Sequence, residues 1–310
     1  MMDSRTVDKF IQEQKSEWPL AARNFDALAG VRVREVELPG GWTVKVQFNP
    51  ARIVSSGAKV DAKTIRERKC FLCRENRPAE QRGLEYGRYT ILVNPFPIFP
   101  RHLTVPDRSH TLQLIDGRIA DMARLALDLD EYVVFYNGPR CGASAPDHMH
   151  FQAGNADFLT LPAAIEDSTL ETLAEEGDNA LYLAADLPLR TFVIDADSPE
   201  KAQELFVRLY AAMPVPEGQQ EPMMNILAYA LPDGQVRLVV IPRKRHRPAC
   251  YGTEGPGTML LSPASVDLGG VFITPLEKDF EALDADKIIS ILDELCLSDS
   301  EIRQIADNVK

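Results

Sequence analysis

Several short runs of this chain alternate apolar and polar residues with a period of two, the signature of strands that bury one face. VRVREVEL, Val31 to Leu38, alternates, breaks at Pro39-Gly40-Gly41 and resumes as WTVKVQF, which predicts a hairpin. RYTILVNPFPIF reads as a strand running into a proline-rich turn, and HLTV as a short strand closed by the turn at Pro106-Asp107. Helical spacing from Gly117 to Leu129 is followed by the strand EYVVFYNG. Beyond an acidic, irregular stretch from Asp157 to about Asp178, the same vocabulary returns. LPLRTFVIDA predicts a strand, Ser198-Pro199 an N-cap with proline at the first position of a helix towards Met213, and NILAYA and VRLVVIP a hairpin about Pro232-Asp233-Gly234-Gln235. VFITP and an amphipathic helix from about Asp284 to Leu297 complete the pattern. The expectation is an α+β fold with antiparallel strands and flanking helices, in two related halves: 1–160, an acidic connection 161–184, and 185–310.

One alternating run carries chemistry. In GASAPDHMHFQA, Gly142 to Ala153, a strand would place His148, His150 and Gln152 on one face and send Met149 and Phe151 into a core. A solvated strand face could show the same pattern by chance.

Composition narrows the choices. A chain of 310 residues, 45% apolar and 26% charged, is an ordinary globular protein able to bury a substantial core. The start has no apolar segment of the signal-peptide kind, and no run of about 18 apolar residues occurs, so a cytoplasmic protein without membrane spans is expected. A formal charge of −12 argues against nucleic acid as the main partner. An anionic ligand needs a local basic pocket, and Arg52 and the run Arg243-Lys244-Arg245-His246-Arg247 are candidates for it, a solvated basic patch being the plain alternative for the run.

Five cysteines do not make a disulfide scaffold. Cys141, Cys250 and Cys296 are scattered and read as small buried residues, whereas Cys70 and Cys73 form a C-x-x-C pair in KCFLCREN. His102, His110, His148 and His150 all follow that pair within the first half. Zinc prefers four nitrogen and sulfur ligands in a tetrahedron, and a C-x-x-C loop supplies two thiolates with the right bite. His110 and His148 could complete the set, with His102 as an alternative fourth ligand or a structural hydrogen-bonder, and a redox pair as the competing reading of the cysteines. With His148 on a metal, His150 is left free, and a neutral imidazole is a competent nucleophile towards phosphorus. Gln152 would stand beside it as a neutral hydrogen-bond donor to phosphate.

Two stretches carry a family resemblance. N-G-P-R-C-G-A-S-A-P-D-H-M-H-F-Q, Asn137 to Gln152, resembles the active-site signature of the galactose-1-phosphate uridylyltransferase and diadenosine-polyphosphate phosphorylase branch of the histidine-triad superfamily, and HMHFQA is similar to the plant GDP-galactose phosphorylase version. VNPFPIFPRHLTVPDRSHTLQL resembles the superfamily segment in which a ribose-binding Asp or Asn is followed by two histidines, here Asn94, His102 and His110. The resemblance is good from about Cys70 to Ala153 and loose elsewhere. It implies a histidine-triad-like fold, with His150 as the nucleophile that takes a nucleoside monophosphate and His148 orienting the site. It also implies that His148, in metal-binding relatives, ligates zinc with Cys70, Cys73 and His110. Asn94 would contact ribose and Ser144 a phosphate oxygen; Asn137 and, from their charge, Arg52 and Arg243 are further candidates for binding substrate. Gln152 occupies the position where hydrolytic relatives carry a third histidine. The chain departs from most uridylyltransferases in one extra residue between Ser144 and His148, Asp147 standing where a shorter turn is usual.

The function expected is nucleotidyl transfer or phosphorolysis of a nucleoside diphosphate-sugar or a dinucleoside polyphosphate through a nucleotidyl-histidine, with inorganic phosphate or a sugar 1-phosphate as acceptor. A zinc-stabilised nucleotide-binding protein without turnover, a nucleotide hydrolase and a thiol redox protein are the alternatives.

Overall fold

The computed structural model describes residues 2–53, 62–252, 254–255 and 257–310. In chain order its strands are β1 (Arg32–Glu37), β2 (Thr43–Phe48), β3 (Gly83–Tyr86), β4 (Tyr89–Val93), β5 (His102–Pro106), β6 (Tyr132–Asn137) and β7 (His150–Asn155), then β8 (Leu170–Glu176), β9 (Asn179–Ala184), β10 (Thr191–Ala196), β11 (Met224–Ala230), β12 (Val236–Pro242) and β13 (Val271–Thr274). A ten-stranded sheet runs β3-β4-β5-β7-β6-β11-β12-β10-β9-β8, every pairing in it antiparallel. Read inwards from its two edges, each half has the same plan: a hairpin, a third strand, then the last two strands in swapped order. A helix follows the third strand in each, Ile119–Asp128 after β5 and Pro199–Ala212 after β10. The halves meet where β6 pairs with β11.

The period of two seen along the chain is the reason the sheet can be covered on both sides. In β6, Tyr132, Val134 and Tyr136 enter one core and Val133 and Phe135 the other; Met149, just before β7, and Phe151 and Ala153 within it join the first. Helices Ser4–Glu17, Pro19–Asp26, Ile119–Asp128, Pro199–Ala212 and Asp299–Val309 contribute side chains to the first core. Ile119, Met122, Ala123 and Ala126 of one of them are fully covered, at the spacing that puts them on one stripe. Ser198 caps the helix after β10 by accepting from the Lys201 N–H at 3.4 Å, with Pro199 at the first position, as the sequence predicts. The second core lies between the large sheet and a small one, β1-β2-β13, and also takes in the helix Ala285–Leu295.

The predicted hairpin Val31–Phe48 is present, but its sheet is separate from the large one, and its third strand, β13, lies parallel to β2 and comes from the far end of the chain. The segment 161–184, expected as an acidic connection, instead folds as the helix Leu161–Glu166 and the hairpin β8–β9. Its acidity belongs to an edge strand: Glu175 and Glu176 of β8 face solvent, charge on an edge that no further strand among the described residues pairs with. No helix among the described residues is long and apolar enough to cross a membrane.

Gly154, in the interior of β7, has a packing reason. A Cβ there would meet the Phe99 ring at 2.5–2.7 Å, and Phe99 is itself fully buried against the His102 ring, centroids 5.1 Å apart. Gly154→Ala is therefore expected to destabilise the fold by about 1–3 kcal/mol through overpacking. Urea denaturation of the two proteins measures it; an unchanged midpoint would contradict this packing.

Candidate active site

The C-x-x-C loop is held in a tight turn. The Cys73 N–H donates to the Cys70 carbonyl (3.3 Å), Asn76 Nδ2 to the same oxygen (2.9 Å) and Arg77 Nε to the Leu72 carbonyl (2.9 Å). The loop presents both sulfurs to two histidines from distant segments. Cys70 Sγ lies 3.3 Å from His148 Nδ1, Cys73 Sγ 3.6 Å from the same nitrogen and 3.2 Å from His110 Nδ1. All four donor atoms fall within 4.8 Å of one another. Ligands of one tetrahedral ion bound at about 2.0–2.3 Å stand some 3.3–3.8 Å apart, so this donor set fits a metal. His148 Nε2 is 2.8 Å from the Asp107 carbonyl; donating there fixes the tautomer that leaves Nδ1 for the sulfurs. Burial opposes the Cys70 thiolate, but His148 and the backbone N–H groups of Leu72 and Cys73 outweigh it and bring the thiol to about 6. His102 is elsewhere, and the fourth donor beside the cysteines is His110.

β7 starts at His150, so His148 precedes the strand and is turned into the C-x-x-C loop, while His150 and Gln152 face a cavity of about 530 Å³. The loop that leads there needs glycine at position 142, where φ is +100° and a Cβ would come within 2.5 Å of the Ala264 methyl. Past that turn, Ser144 is exposed at the cavity wall.

Hydrogen bonds settle which atoms can act. His150 Nδ1 lies 2.8 Å from the His148 carbonyl and donates to it; among the described residues nothing bonds Nε2, which keeps its lone pair. Burial outweighs the hydrogen bond to the His148 carbonyl, which favours the charged ring, and holds His150 down at about 4, so the ring is neutral at physiological pH. His102 Nδ1 accepts from the Ile98 N–H at 3.1 Å; its Nε2 proton then goes to Gln152 Oε1, also at 3.1 Å. With its oxygen so occupied, Gln152 offers its amide N–H groups. Asn137 is arranged alike: Oδ1 accepts from Asn225 Nδ2 (2.8 Å), the Ser265 N–H (2.9 Å) and Ser265 Oγ (2.8 Å), which leaves its NH2 as a donor.

Asn94, Asn137, Ser144 and Arg52 all line the cavity with His150 and Gln152, so six of the residues singled out in the sequence converge there. Asn94 is braced by Thr104 Oγ1 (3.1 Å) and the Phe96 N–H (2.9 Å), and Arg52 donates to the Phe96 carbonyl at 2.7 Å. Arg243 does not join them. It is buried behind the wall, donating to Asn225 Oδ1 (2.7 Å) and to the carbonyls of Pro263, Arg245 and His246, because the chain leaving β12 turns around its guanidinium. From the same basic run, His246 and Arg247 do reach the cavity. Arg68, Phe71 and Phe96, which the sequence reading missed, line it too; Arg68 pairs with Asp147 and stands 5.0 Å over the Phe71 ring. The one available signal for Arg68 was a positive charge two residues before Cys70.

The antiparallel sheet and its flanking helices have the histidine-triad-like fold, and His150 and Gln152 share one face of it. Two family models tile the chain: a domain of unknown function, DUF4922, matches residues 10–155, and the GDPGP1-like C-terminal domain matches residues 165–310. It is similar in fold to yeast Ap4A phosphorylase Apa2, with a TM-score of 0.61 and 17% identity over 90% of this chain and 96% of that one. The same yeast protein in complex with AMP gives 0.61 at 18% identity (90% and 95% covered), and in complex with Ap4A 0.58 at 16% (91% and 97% covered). No curated protein sequence matches the chain.

The buried ring of His102 makes a pH test. Burial first, and the Arg52 charge second, hold it near 3, against 6.5 for an unfolded histidine. Between those values the unfolded chain binds a proton that the native state does not, so folding stability falls as pH falls through the window, by up to about 1.4 kcal/mol per pH unit, and levels off below it. His102→Gln lacks this dependence. Denaturation at pH 7.5 and 4.5 should show the stability difference between the two proteins shrinking at the lower pH; a constant difference would mean His102 titrates normally.

Proposed function

We propose that the chain is a nucleotidyl-transferring phosphorylase that acts on a dinucleoside polyphosphate or a nucleoside diphosphate-sugar. The observation that carries the reading is the His148 carbonyl on His150 Nδ1, which holds a neutral imidazole with its Nε2 lone pair towards the cavity. In the first step Nε2 attacks the α-phosphorus: an N–P bond forms, the P–O bond to the neighbouring phosphate breaks, and that phosphate leaves with the electron pair. Gln152 and Asn137 donate N–H groups to the non-bridging oxygens, Ser144 adds a hydroxyl, and Arg52 and Arg247 meet the charge of the leaving phosphates. In the second step an oxygen of inorganic phosphate, or of a sugar 1-phosphate, attacks the same phosphorus from the side the leaving group vacated, and His150 is released. Gln152, unlike a histidine, cannot act as a general base for water, which favours transfer to phosphate over hydrolysis. The GDPGP1-like match and the fold shared with an enzyme crystallised with AMP and with Ap4A support a nucleotide substrate. Asn94, beside the polar wall, is placed in this reading on the ribose.

The Cys70, Cys73, His110 and His148 cluster is assigned zinc in a structural role: when bound, the ion ties the C-x-x-C loop to the segments carrying His110 and His148. About one zinc per chain is expected by elemental analysis, lost in Cys70→Ser plus Cys73→Ser together with much of the thermal stability. Zinc persisting at full stoichiometry in that double variant would exclude the ligand set.

Incubation with Ap4A, UDP-sugars, GDP-sugars and ADP-sugars, followed by intact mass at neutral or basic pH, is expected to show one nucleoside monophosphate adduct per chain. The adduct should be absent in His150→Ala and discharged by inorganic phosphate. Discharge by sugar 1-phosphate alone would make the chain an exchange enzyme, and rapid loss to water a hydrolase. No adduct with any donor would overturn the covalent route.

A further inference from the structure

The last turn of the sheet beside the nucleophile is not closed by strand pairing. β6 and β7 pair through Tyr132↔Asn155, Val133↔Gly154, Val134↔Ala153 and Phe135↔Gln152, a register that would set Asn137 opposite His150. A side chain stands there instead. Gln113, 1% exposed, accepts from the His150 N–H at Oε1 (2.8 Å), and its Nε2 donates to the His150 carbonyl and to the Asn137 carbonyl (3.0 Å each). One amide thereby takes over the backbone groups of the nucleophile and of the facing residue on β6.

We infer that Gln113 is the positioning residue of this site: a side-chain wedge that splays β6 from β7 and fixes the peptide groups of His150, so that its imidazole stays on the His148 carbonyl. The inference rests on the nucleotidyl-transfer reading for its functional consequence. Five further contacts make the wedge rigid. The Gln113 N–H donates to the Pro146 carbonyl (3.2 Å), and the Met149 N–H to the Thr111 carbonyl (2.7 Å), so Thr111–Gln113 runs along the loop that bears His148 and leads into His150. Behind it, the Tyr136 hydroxyl donates to Glu221 Oε1 (2.6 Å) and lies 3.2 Å from the Gln113 carbonyl, while Glu221 Oε2 accepts from the Ile115 N–H (2.8 Å). An amide is required at position 113, because the pocket asks for one acceptor and two donors. A carboxylate has the same shape but would face two carbonyl oxygens with no proton to offer.

The wedge also separates the two strands where substrate must enter. Closing the ladder would bring Asn137 and His150 into direct pairing and narrow the cavity between them. Opening it by a free loop would leave His150 to drift, and a displacement of about 1 Å costs on the order of 100-fold in rate.

Gln113→Glu and Gln113→Leu keep the side-chain shape and remove, respectively, the donors and all polarity. Thermal melting and AMP binding establish that each is folded, adduct formation from the competent donor gives the rate, and ¹⁵N spectra of the imidazoles give the His150 tautomer. Expected are AMP affinities within about threefold of the parent, adduct formation slowed on the order of 100-fold, and a mixed His150 tautomer where the parent shows Nδ1–H alone. Rates and tautomer unchanged in either folded variant would overturn the inference. So would rate and AMP affinity falling by the same factor, or failure of both variants to fold, since each makes Gln113 a residue of the core and no more. Absence of any adduct in the parent protein counts against nucleotidyl transfer instead, and the tautomer spectra then decide the positioning on their own.

Discussion

Burial on both faces is the constraint under which the ten-stranded sheet is built. A polar side chain that leaves such a sheet cannot find water, and an unpaired one costs about 1–3 kcal/mol. The strands at the centre, β5, β7, β6 and β11, nonetheless carry His102, Thr104, Gln152, Asn137 and Asn225. Each is tied to another polar side chain or to the backbone, and the ties decide which atoms stay free towards the cavity. His102 takes the Gln152 oxygen, Asn225 and Ser265 take the Asn137 oxygen, and the His148 carbonyl takes the His150 proton. What remains unpaired is two amide donors and one lone pair. Satisfying the buried groups and aiming the reactive ones are therefore a single arrangement of hydrogen bonds.

That arrangement is present once although the strand plan occurs twice. β12 holds the place in the second half that β7 holds in the first, yet its residues, Val236 to Pro242, are apolar except Arg237, which binds Asp195 at 2.6 and 2.8 Å. The second half serves the first from behind. Arg243 orients Asn225, Asn225 orients Asn137, and Ser265 closes the set, while Ser262, Arg247 and Asp267 complete the cavity wall. A fragment ending near residue 160 would lack both the third wall and the partners that turn the Asn137 amide.

Local order explains what could be read from the chain. Met149, His150, Phe151 and Gln152 were legible because adjacent residues of a strand face opposite ways whatever lies around them, and the C-x-x-C loop because its geometry is short-range. Partners far along the chain were not. The hairpin at Val31–Phe48 is plain, but nothing near it announces β13, which pairs with it across more than two hundred residues. Arg243 belongs to a basic run that does reach the cavity through His246 and Arg247, and only the turn after β12 decides that its own guanidinium faces inwards. Acidity at 161–184 suggested a connection, since charge marks an exposed edge strand as readily as a loop. His102 was open between ligand and hydrogen-bonder; the distinction depends on the Ile98 N–H and on Gln152, fifty residues on.

Charge sets the remaining condition on the polyphosphate substrate proposed above. The protein carries a net −12, which repels anions at a distance, so the cavity must overcome a field that its own surface creates. At physiological ionic strength that field decays over about 8 Å, whereas contacts inside a partly desolvated cavity are screened far less. Arg52 and Arg68 suit the short range: each lines the cavity and keeps one buried N–H, Nε of Arg52 and Nη1 of Arg68, without an acceptor among the described residues. Asp147 explains why Arg68 is there at all. The extra residue in the loop before His148 pairs with the guanidinium, so that a longer loop, which would otherwise loosen the approach to the nucleophile, is fastened to the segment that enters the C-x-x-C turn. In the proposed reaction, recognition of the anion and rigidity of the loop that leads to His150 then depend on the same ion pair.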